Sequence, residues 1–343
     1  MRHLGLKGAA ALAAASMAFA VAACGDSDEK SSSSGAATTG TTAAAAKPAS
    51  VKGKTIGVSM HFLADDYAKD FSSTVKSDLE AKGAKVILSS ADGDPGKQLS
   101  DIQSMTTRRV DAMIVIPIDE SAIVPAIKIA KKANIPVLSA SPIPAVDKEL
   151  TAIVGPSDFG NGEAACKEMA AKIDTPGAEV AISTASVTLY RIDQRVAGCK
   201  KALDAANLKV VDTAKGLSPE EGLKNAQNLI SAHPKLRGIF GSFSNLVLGA
   251  GNAVKQAGRK DVAVSGIDAD RAIIKQIASG NVTDVAAQFP SQQAKLIAAA
   301  TATVVGGGTV EHDQQDQLPT RTVDSTNYED RYQEIWGEPY PTG

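Results

Sequence analysis

A chain of 343 residues that is 43% hydrophobic has enough apolar material for two domains of ordinary size. Its 36 Lys and Arg against 38 Asp and Glu leave a formal charge of -2, which excludes a basic face for nucleic acid and a polybasic membrane patch. Three cysteines occur, at Cys24, Cys166 and Cys199.

The chain opens with Arg2 and Lys7, an apolar stretch from Ala9 to Ala20, and Val21-Ala22-Ala23 before Cys24. This order reads as an export signal over residues 1–23. It resembles a bacterial lipoprotein signal, in which the cysteine is diacylated and becomes the first residue of the mature protein. A lipidated Cys24 would hold the rest of the chain outside the cytoplasm, anchored to the cell membrane. The apolar run itself is shorter than the ~20 residues a bilayer span requires. Residues 24–50, rich in Ser, Thr, Ala and Gly, offer little apolar surface to offset the entropy of ordering them and are expected to form a disordered tether. Such a coil spans roughly 25 to 30 Å.

Beyond the tether, short β-branched runs alternate with longer helix-period segments. Thr55 to Met60 predicts a buried strand, Asp66 to Lys82 a helix stopped by Gly83, and Val86 to Leu88 a strand. Pro95 to Arg108 predicts a helix, Ala112 to Ile116 a strand, Glu120 to Ala133 a helix and Ile135 to Ser139 a strand. The order then recurs from a strand at Ala178 to Ser183, through helices at Ile192–Ala206, Ser218–Ala232, Leu246–Gln256 and Asp270–Ser279. Strands at Lys209–Val211, Gly238–Phe240, Val262–Val264 and Val285–Gln288 separate or follow them. Val86 and Val210 are 124 positions apart, and Ile114 and Ile239 are 125 apart. The chain is therefore expected to fold as α/β, in two similar doubly wound domains with parallel sheets.

A surplus follows the second domain: a helix from Ser291 to Val305, a strand at Arg321 to Val323 and a helix from Tyr328 to Trp336. We expect it to return to the first domain and finish its sheet. Ligands of such sheets bind outside the carboxyl ends of the strands, where two facing domains make a cleft.

Several segments together resemble the type I periplasmic binding proteins, and within them the ribose-binding group of sugar ABC importers. They are Ile56-Gly57-Val58-Ser59-Met60, Ala133-Asn134-Ile135-Pro136-Val137, Arg195-Val196-Ala197-Gly198, Gly266-Ile267-Asp268 and Ala287-Gln288-Phe289-Pro290. The resemblance implies two lobes joined by a hinge of three crossings, near Pro156, Gln288 and Arg321. The N-terminal lobe would comprise residues 51–156 and 289–321, and the C-terminal lobe 157–288 and 322–343.

It also implies ligand-binding roles for Arg195, which precedes Gly198, for Asp268 after its strand, and for Gln288 at the second hinge. An arginine fork and a carboxylate together satisfy adjacent hydroxyls. A structural salt bridge or helix cap is the alternative use of Arg195 and Asp268. The first lobe departs from the ribose pattern: Ser141-Pro142 stands where an Asp-Arg pair is usual, Ile116 replaces an asparagine, and Phe243-Ser244 replaces an Asn-Asp pair. His61, Phe62, Asp65, Asp66 and Tyr67 occupy the first loop. Tyr67, Phe243 and Phe62 offer aromatic faces to a sugar ring or heterocycle. His61, Ser141 and the Asp65-Asp66 pair offer polar groups for hydroxyls or an amine, with a helix N-cap as the alternative use of Asp65 or Asp66 and core or hinge packing that of Phe62. The expected ligand is a small sugar or polyol, with a nucleoside or amine as alternative.

Cys166 and Cys199 form an even pair in an exported protein and lie on two predicted helices flanking the Glu179 to Ser183 strand. A disulfide is expected, with two buried thiols as the alternative. No histidine lies near either, so no metal is expected there. The chain carries no Gly-x-x-x-x-Gly-Lys, Gly-x-Ser-x-Gly or His-Glu-x-x-His motif, and neither catalysis nor a cofactor is expected. An export signal also excludes a cytoplasmic repressor on the same fold. The reading is a monomeric substrate-binding lipoprotein that delivers its solute to an ABC permease; a ligand-presenting chemosensory receptor is the alternative.

Overall fold

The structure, a computed structural model, describes residues 50–341. The export signal, Cys24 and the tether up to residue 49 lie outside them.

The first sheet is built from β1 (Thr55–Met60), β2 (Lys85–Ser90), β3 (Ala112–Val115), β4 (Val137–Ser139) and β5 (Ala152–Ile153), all parallel in the order β2-β1-β3-β4-β5. Three helices cross over between its strands: α1 (Asp66–Ala81), α2 (Pro95–Thr107) and α3 (Val124–Lys132). Helix α1 starts where the Asp65 carboxylate takes the Ala68 N–H, and it buries Phe71, Val75 and Leu79 on one face. Helix α3 begins later than its apolar pattern suggests. The Asp119 carboxylate accepts the N–H groups of Ser121 and Ala122 at 2.8 and 3.0 Å, holding that segment in a turn.

The second sheet repeats the arrangement. Its strands are β6 (Glu179–Ala185), β7 (Lys209–Gly216), β8 (Leu236–Gly241), β9 (Ala263–Ile267) and β10 (Asp284–Ala287), in the parallel order β7-β6-β8-β9-β10. Helices α4 (Asp158–Ile173), α5 (Tyr190–Ala205), α6 (Pro219–Ala232), α7 (Ser244–Ala257) and α8 (Arg271–Ala278) accompany it. Strand for strand this is the order of the first sheet, so the near-constant offset in the sequence reflects a duplicated architecture. Strand β5 and the Pro144–Glu149 turn before it have no counterpart in the sequence reading. Two residues are too few to show a period.

The surplus divides. Helix α9 (Pro290–Val305) returns to the first lobe, where Ala294, Ile297 and Ala298 share one core with Phe71 and Val75 of α1. Strand β11 (Arg321–Asp324) does not finish the first sheet as expected; it pairs antiparallel with β10 on the edge of the second. The first sheet receives only a bridge from Asp313 to Ile153, closed by hydrogen bonds of 2.7 and 2.9 Å to His312 and Gln314. A strand that runs antiparallel can join an edge without a crossover helix, and β10 is the edge that the returning chain reaches. Helix α10 (Tyr328–Trp336) then places Tyr332 and Ile335 in the second core. Between the lobes the chain passes three times, after β5, after β10 and before β11.

Helices α4 and α5 meet along a seam of unusual closeness. Asp158, Gly162 and Cys166 succeed one another at helical spacing on α4, and Arg195, Gly198 and Cys199 face them from α5. A Cβ at Gly162 would collide with the Arg195 carbonyl, and one at Gly198 with the Phe159 carbonyl. Cys166 and Cys199 are joined in a disulfide, with Cα atoms 5.0 Å apart.

Candidate functional site

The loops that leave the carboxyl ends of both sheets enclose a cavity of about 610 Å3. From the first lobe come His61 and Phe62 after β1, Ile116 and Asp119 after β3, and Ser141 after β4. The second lobe contributes Thr188 and Arg191 after β6, Phe243 after β8, and Asp268 and Asp270 after β9. Pro156 and Gln288 line it at two of the chain crossings.

Arg195 reaches this cavity from the α4–α5 seam. Its Nε donates to Asp158 Oδ1 at 2.7 Å and its Nη1 to the Ser242 carbonyl at 3.2 Å, with only 4% of the residue exposed. Nη2 has no protein partner among the described residues. Arg195 thus combines the salt bridge and the cleft position that the sequence left as alternatives, and Gly198 is the residue that lets its helix come close enough.

Asp268 is held in a costly conformation. Its φ of 81° lies in the region that side chains with a Cβ rarely occupy. Its Oδ2 accepts the Ser244 N–H at 3.0 Å, at the start of α7, and its Oδ1 accepts from Gln288 Nε2. The carboxylate is therefore anchored at a helix N-terminus, where negative charge is favoured.

Asp65 and Asp66 separate into different tasks. Asp65 caps α1 and lines the cavity; loss of hydration, aided by the charges of Asp268 and Asp66, pushes its carboxyl up to about 6 against the pull of the Ala68 N–H. Asp66, expected among the ligand-binding residues, does not line the cavity. It turns to Arg271 of the second lobe, 3.7 Å from Nη1, and accepts the Arg271 backbone N–H at 3.3 Å. As the first helical residue it points away from the cap position, which explains the difference.

Tyr67 lines the cavity with its ring while its hydroxyl donates to Gln293 Oε1 at 2.6 Å. Gln293 in turn donates to the carbonyls of Ala140 and Val154, so the ring is fixed to the end of β4. His61 is 6% exposed and lies against Phe62, ring centroids 4.0 Å apart. Burial, with the Arg191 charge, lowers its pKa to about 3, so the imidazole is neutral, and its Nδ1 has no hydrogen-bond partner among the described residues. The Ser141 hydroxyl is also buried without a partner there. Among the described first-lobe residues that line the cavity, these two carry the buried polar atoms left without a partner.

Asp158, Arg191 and Asp270 are among the cavity residues that the sequence does not single out. Asp158 is hidden because nothing in a helix's first turn marks a buried carboxylate. Arg191 sits one turn before Arg195 on the same face of α5, where i to i+4 spacing could have found it; its Nη1 donates to the Pro117 carbonyl of the first lobe at 3.1 Å. Asp270 follows Asp268 by two positions, and burial, then the charges of Asp268, Asp65 and Asp66, raise its pKa to about 8. Next to Arg191, the Tyr190 N–H donates to Glu120 Oε2 at 3.0 Å, a further contact between lobes.

Among the described residues no cluster of His, Cys, Asp or Glu is arranged to hold a metal ion, and no helix is long and apolar enough to cross a membrane. What the cavity offers is a set of oriented donors, acceptors and ring faces from two lobes, suited to enclosing a small polar solute.

Comparison with known proteins agrees with this geometry. Residues 56–309 match the family described as periplasmic binding protein domain. The chain is 28% identical over 269 residues to the ribose import binding protein RbsB of Bacillus subtilis (strain 168), covering 78% of this chain and 87% of that one. It is 32% identical over 234 residues to the D-ribose/D-allose-binding protein of Pseudomonas aeruginosa, covering 66% and 73%. A solved ABC transporter solute binding protein from Bacillus halodurans C-125, with bound myo-inositol, superposes with a TM-score of 0.75 at 25% identity, over 82% of this chain and 98% of that one. The chain belongs to the type I periplasmic binding proteins of sugar ABC transporters.

Proposed function

We propose that the protein is the substrate-binding lipoprotein of an ABC importer, and that it captures a small sugar or polyol between its lobes. The observation that carries this reading is the cavity itself. At about 610 Å3 it falls within the range of ~300–1,000 Å3 usual for small-molecule sites. It is lined from both lobes, so a solute held there makes contacts in the closed arrangement that an open one lacks, and binding shifts the population toward closure. The closed state then docks on the permease.

Arg195, Asp268 and Gln288 supply hydroxyl partners from the second lobe. His61 and Ser141 supply them from the first, and Tyr67 and Phe243 cover the apolar face of a ring. Asp65 doubles as cap and acceptor. Residues 1–23 direct export, Cys24 carries the lipid, and residues 24–50 act as the leash. The lobes comprise residues 51–156 with 289–321, and 157–288 with 322–343.

A thermal-shift screen of monosaccharides, polyols and nucleosides tests the reading, because a ligand of the native state raises its apparent stability. A sugar or polyol should raise the melting temperature in proportion to the logarithm of its concentration. Asp268→Asn should weaken a confirmed ligand by roughly tenfold or more, the cost of a lost charged hydrogen bond. Unchanged affinity in Asp268→Asn would displace the proposed site, and chemical turnover of a hit would refute the carrier role.

A further inference from the structure

The cavity has more negative charge than a neutral solute needs. Asp65, Asp119, Asp158, Asp268 and Asp270 line it, against Arg191 and Arg195. Asp158 is committed to Arg195, and Asp119 to its own turn through Ser121 and Ala122. That leaves Asp65 from the first lobe facing Asp268 and Asp270 from the second. Among the described residues none of these three has a salt-bridge partner, although Asp66 beside them has Arg271. Asp65 accepts the Ala68 N–H, and Asp268 accepts from the neutral donors Ser244 and Gln288.

Like charges gathered from two lobes oppose closure unless a cation lies between them or they take up protons. Burial first, and then the charges of the neighbouring aspartates, raise the pKa values of Asp65 and Asp270. A second and independent feature describes the other end of the ligand. His61 and Ser141, each 6% exposed, line the same cavity with a ring nitrogen and a hydroxyl that have no partner among the described residues. Both are neutral and suited to hydroxyl groups.

We infer that the solute is a polyhydroxylated amine, an amino sugar or amino polyol, whose ammonium group lies among Asp65, Asp268 and Asp270 and whose hydroxyls meet His61 and Ser141. The inference rests on the binding-protein reading above and narrows its substrate class. The ammonium supplies the missing charge for both lobes at once, so it joins them. Tyr67 and Phe243 flank the cavity and present faces that also attract a cation.

The test uses matched pairs that differ only in the amino group: D-glucosamine with D-glucose, D-galactosamine with D-galactose, and 1-amino-1-deoxy-D-glucitol with D-glucitol. Isothermal titration of the purified protein at neutral pH should show at least one amine binding ten or more times tighter than its neutral partner. Asp270→Asn and Asp65→Asn are close to isosteric, and asparagine still caps α1. Each should reduce that preference at least fivefold, and their melting curves without ligand check that they fold. If in every pair that binds the neutral member binds as tightly as its amine, the inference is overturned and the sugar or polyol reading stands. No binding by any member of any pair overturns the inference alone if another sugar or polyol binds in the thermal-shift screen, and overturns both if none does.

Discussion

Asp158 of α4 and Arg195 of α5 form an ion pair 2.7 Å long whose side chains are only 7% and 5% exposed. Removing one partner strands the other charge away from water, which typically costs about 3 to 5 kcal/mol. Arg195→Ala should therefore lower the unfolding free energy by roughly that amount as well as weakening ligand. The double variant Asp158→Leu/Arg195→Met should recover much of the stability but not the binding. Chemical denaturation of the single and double variants separates the two effects. A double variant as unstable as Arg195→Ala would show that packing, not the unpaired charge, dominates.

The same seam predicts a sharp response to one added methyl group. Gly162→Ala places a carbon against the Arg195 carbonyl, and Gly198→Ala against the Phe159 carbonyl, both backbone atoms that cannot swing aside. We expect about 1 to 3 kcal/mol of destabilisation from each. Because the shift acts on α5, Arg195 should move with it, and affinity should fall beyond what stability explains. Titration of a confirmed ligand into folded Gly198→Ala checks this; wild-type affinity there would uncouple the seam from the site.

Cys166 and Cys199 close a loop with a sequence separation of 33. In the chain-entropy account such a loop is worth roughly 3 to 4 kcal/mol. Cys166→Ala/Cys199→Ala should unfold at lower denaturant and, because the uncrosslinked unfolded chain is more expanded, with a steeper slope against denaturant. Equal midpoints for the double variant and the oxidised wild type would remove the disulfide from the account of stability.

Asp270 and His61 set opposed responses to pH. Asp270 has a native pKa of about 8 against 3.8 unfolded, so between these values the native state binds more protons, and stability falls as pH rises. Asp65, at about 6, acts in the same direction over a narrower window. His61 has a native pKa of about 3 against 6.5 unfolded. Its contribution is complete above the unfolded value and is lost as pH falls toward the native one. The stability difference between wild type and Asp270→Asn should decline with pH by no more than about 1.4 kcal/mol per unit near neutrality. The corresponding difference for His61→Gln should grow between pH values of roughly 4 and 6. Denaturant titrations at several pH values measure both, and a flat profile for Asp270→Asn would mean that its carboxyl ionises as freely in the native state as in the unfolded chain.

How far the sequence carries depends on what kind of contact makes each feature. Helix and strand alternation is a local property, and runs such as Thr55–Met60 or the apolar face of Asp66–Ala81 place their own elements. Most of the cleft is likewise legible, since His61, Tyr67, Ser141, Phe243 and Asp268 all follow strands, where such folds bind ligands. Asp158 and the true use of Asp66 are not local. The first acquires its role only when α5 brings Arg195 beside it, the second only when Arg271 arrives from 205 positions away. The destination of Arg321–Asp324 is hidden for the same reason, because a short strand shows its period but not its neighbour.

The two lobes repeat one strand order but brace their outer helices differently. In the second, α4 and α5 are locked by a covalent bond, a buried ion pair and backbones in direct contact. The corresponding outer pair of the first lobe, α1 and α9, is joined by hydrogen bonds such as Tyr67 to Gln293 and Ser291 to Asp70, both 2.6 Å long. Helix α9 also hangs between two of the chain crossings, so whatever bends the hinge pulls on it directly. In the proposed capture cycle the second lobe would act as an anvil that presents Arg195 and Asp268, and the first as the jaw that adjusts its grip. Amide protons of α4 and α5 should accordingly exchange at nearly the same slow rate with and without solute, and those of α1 and α9 should slow when the jaw closes.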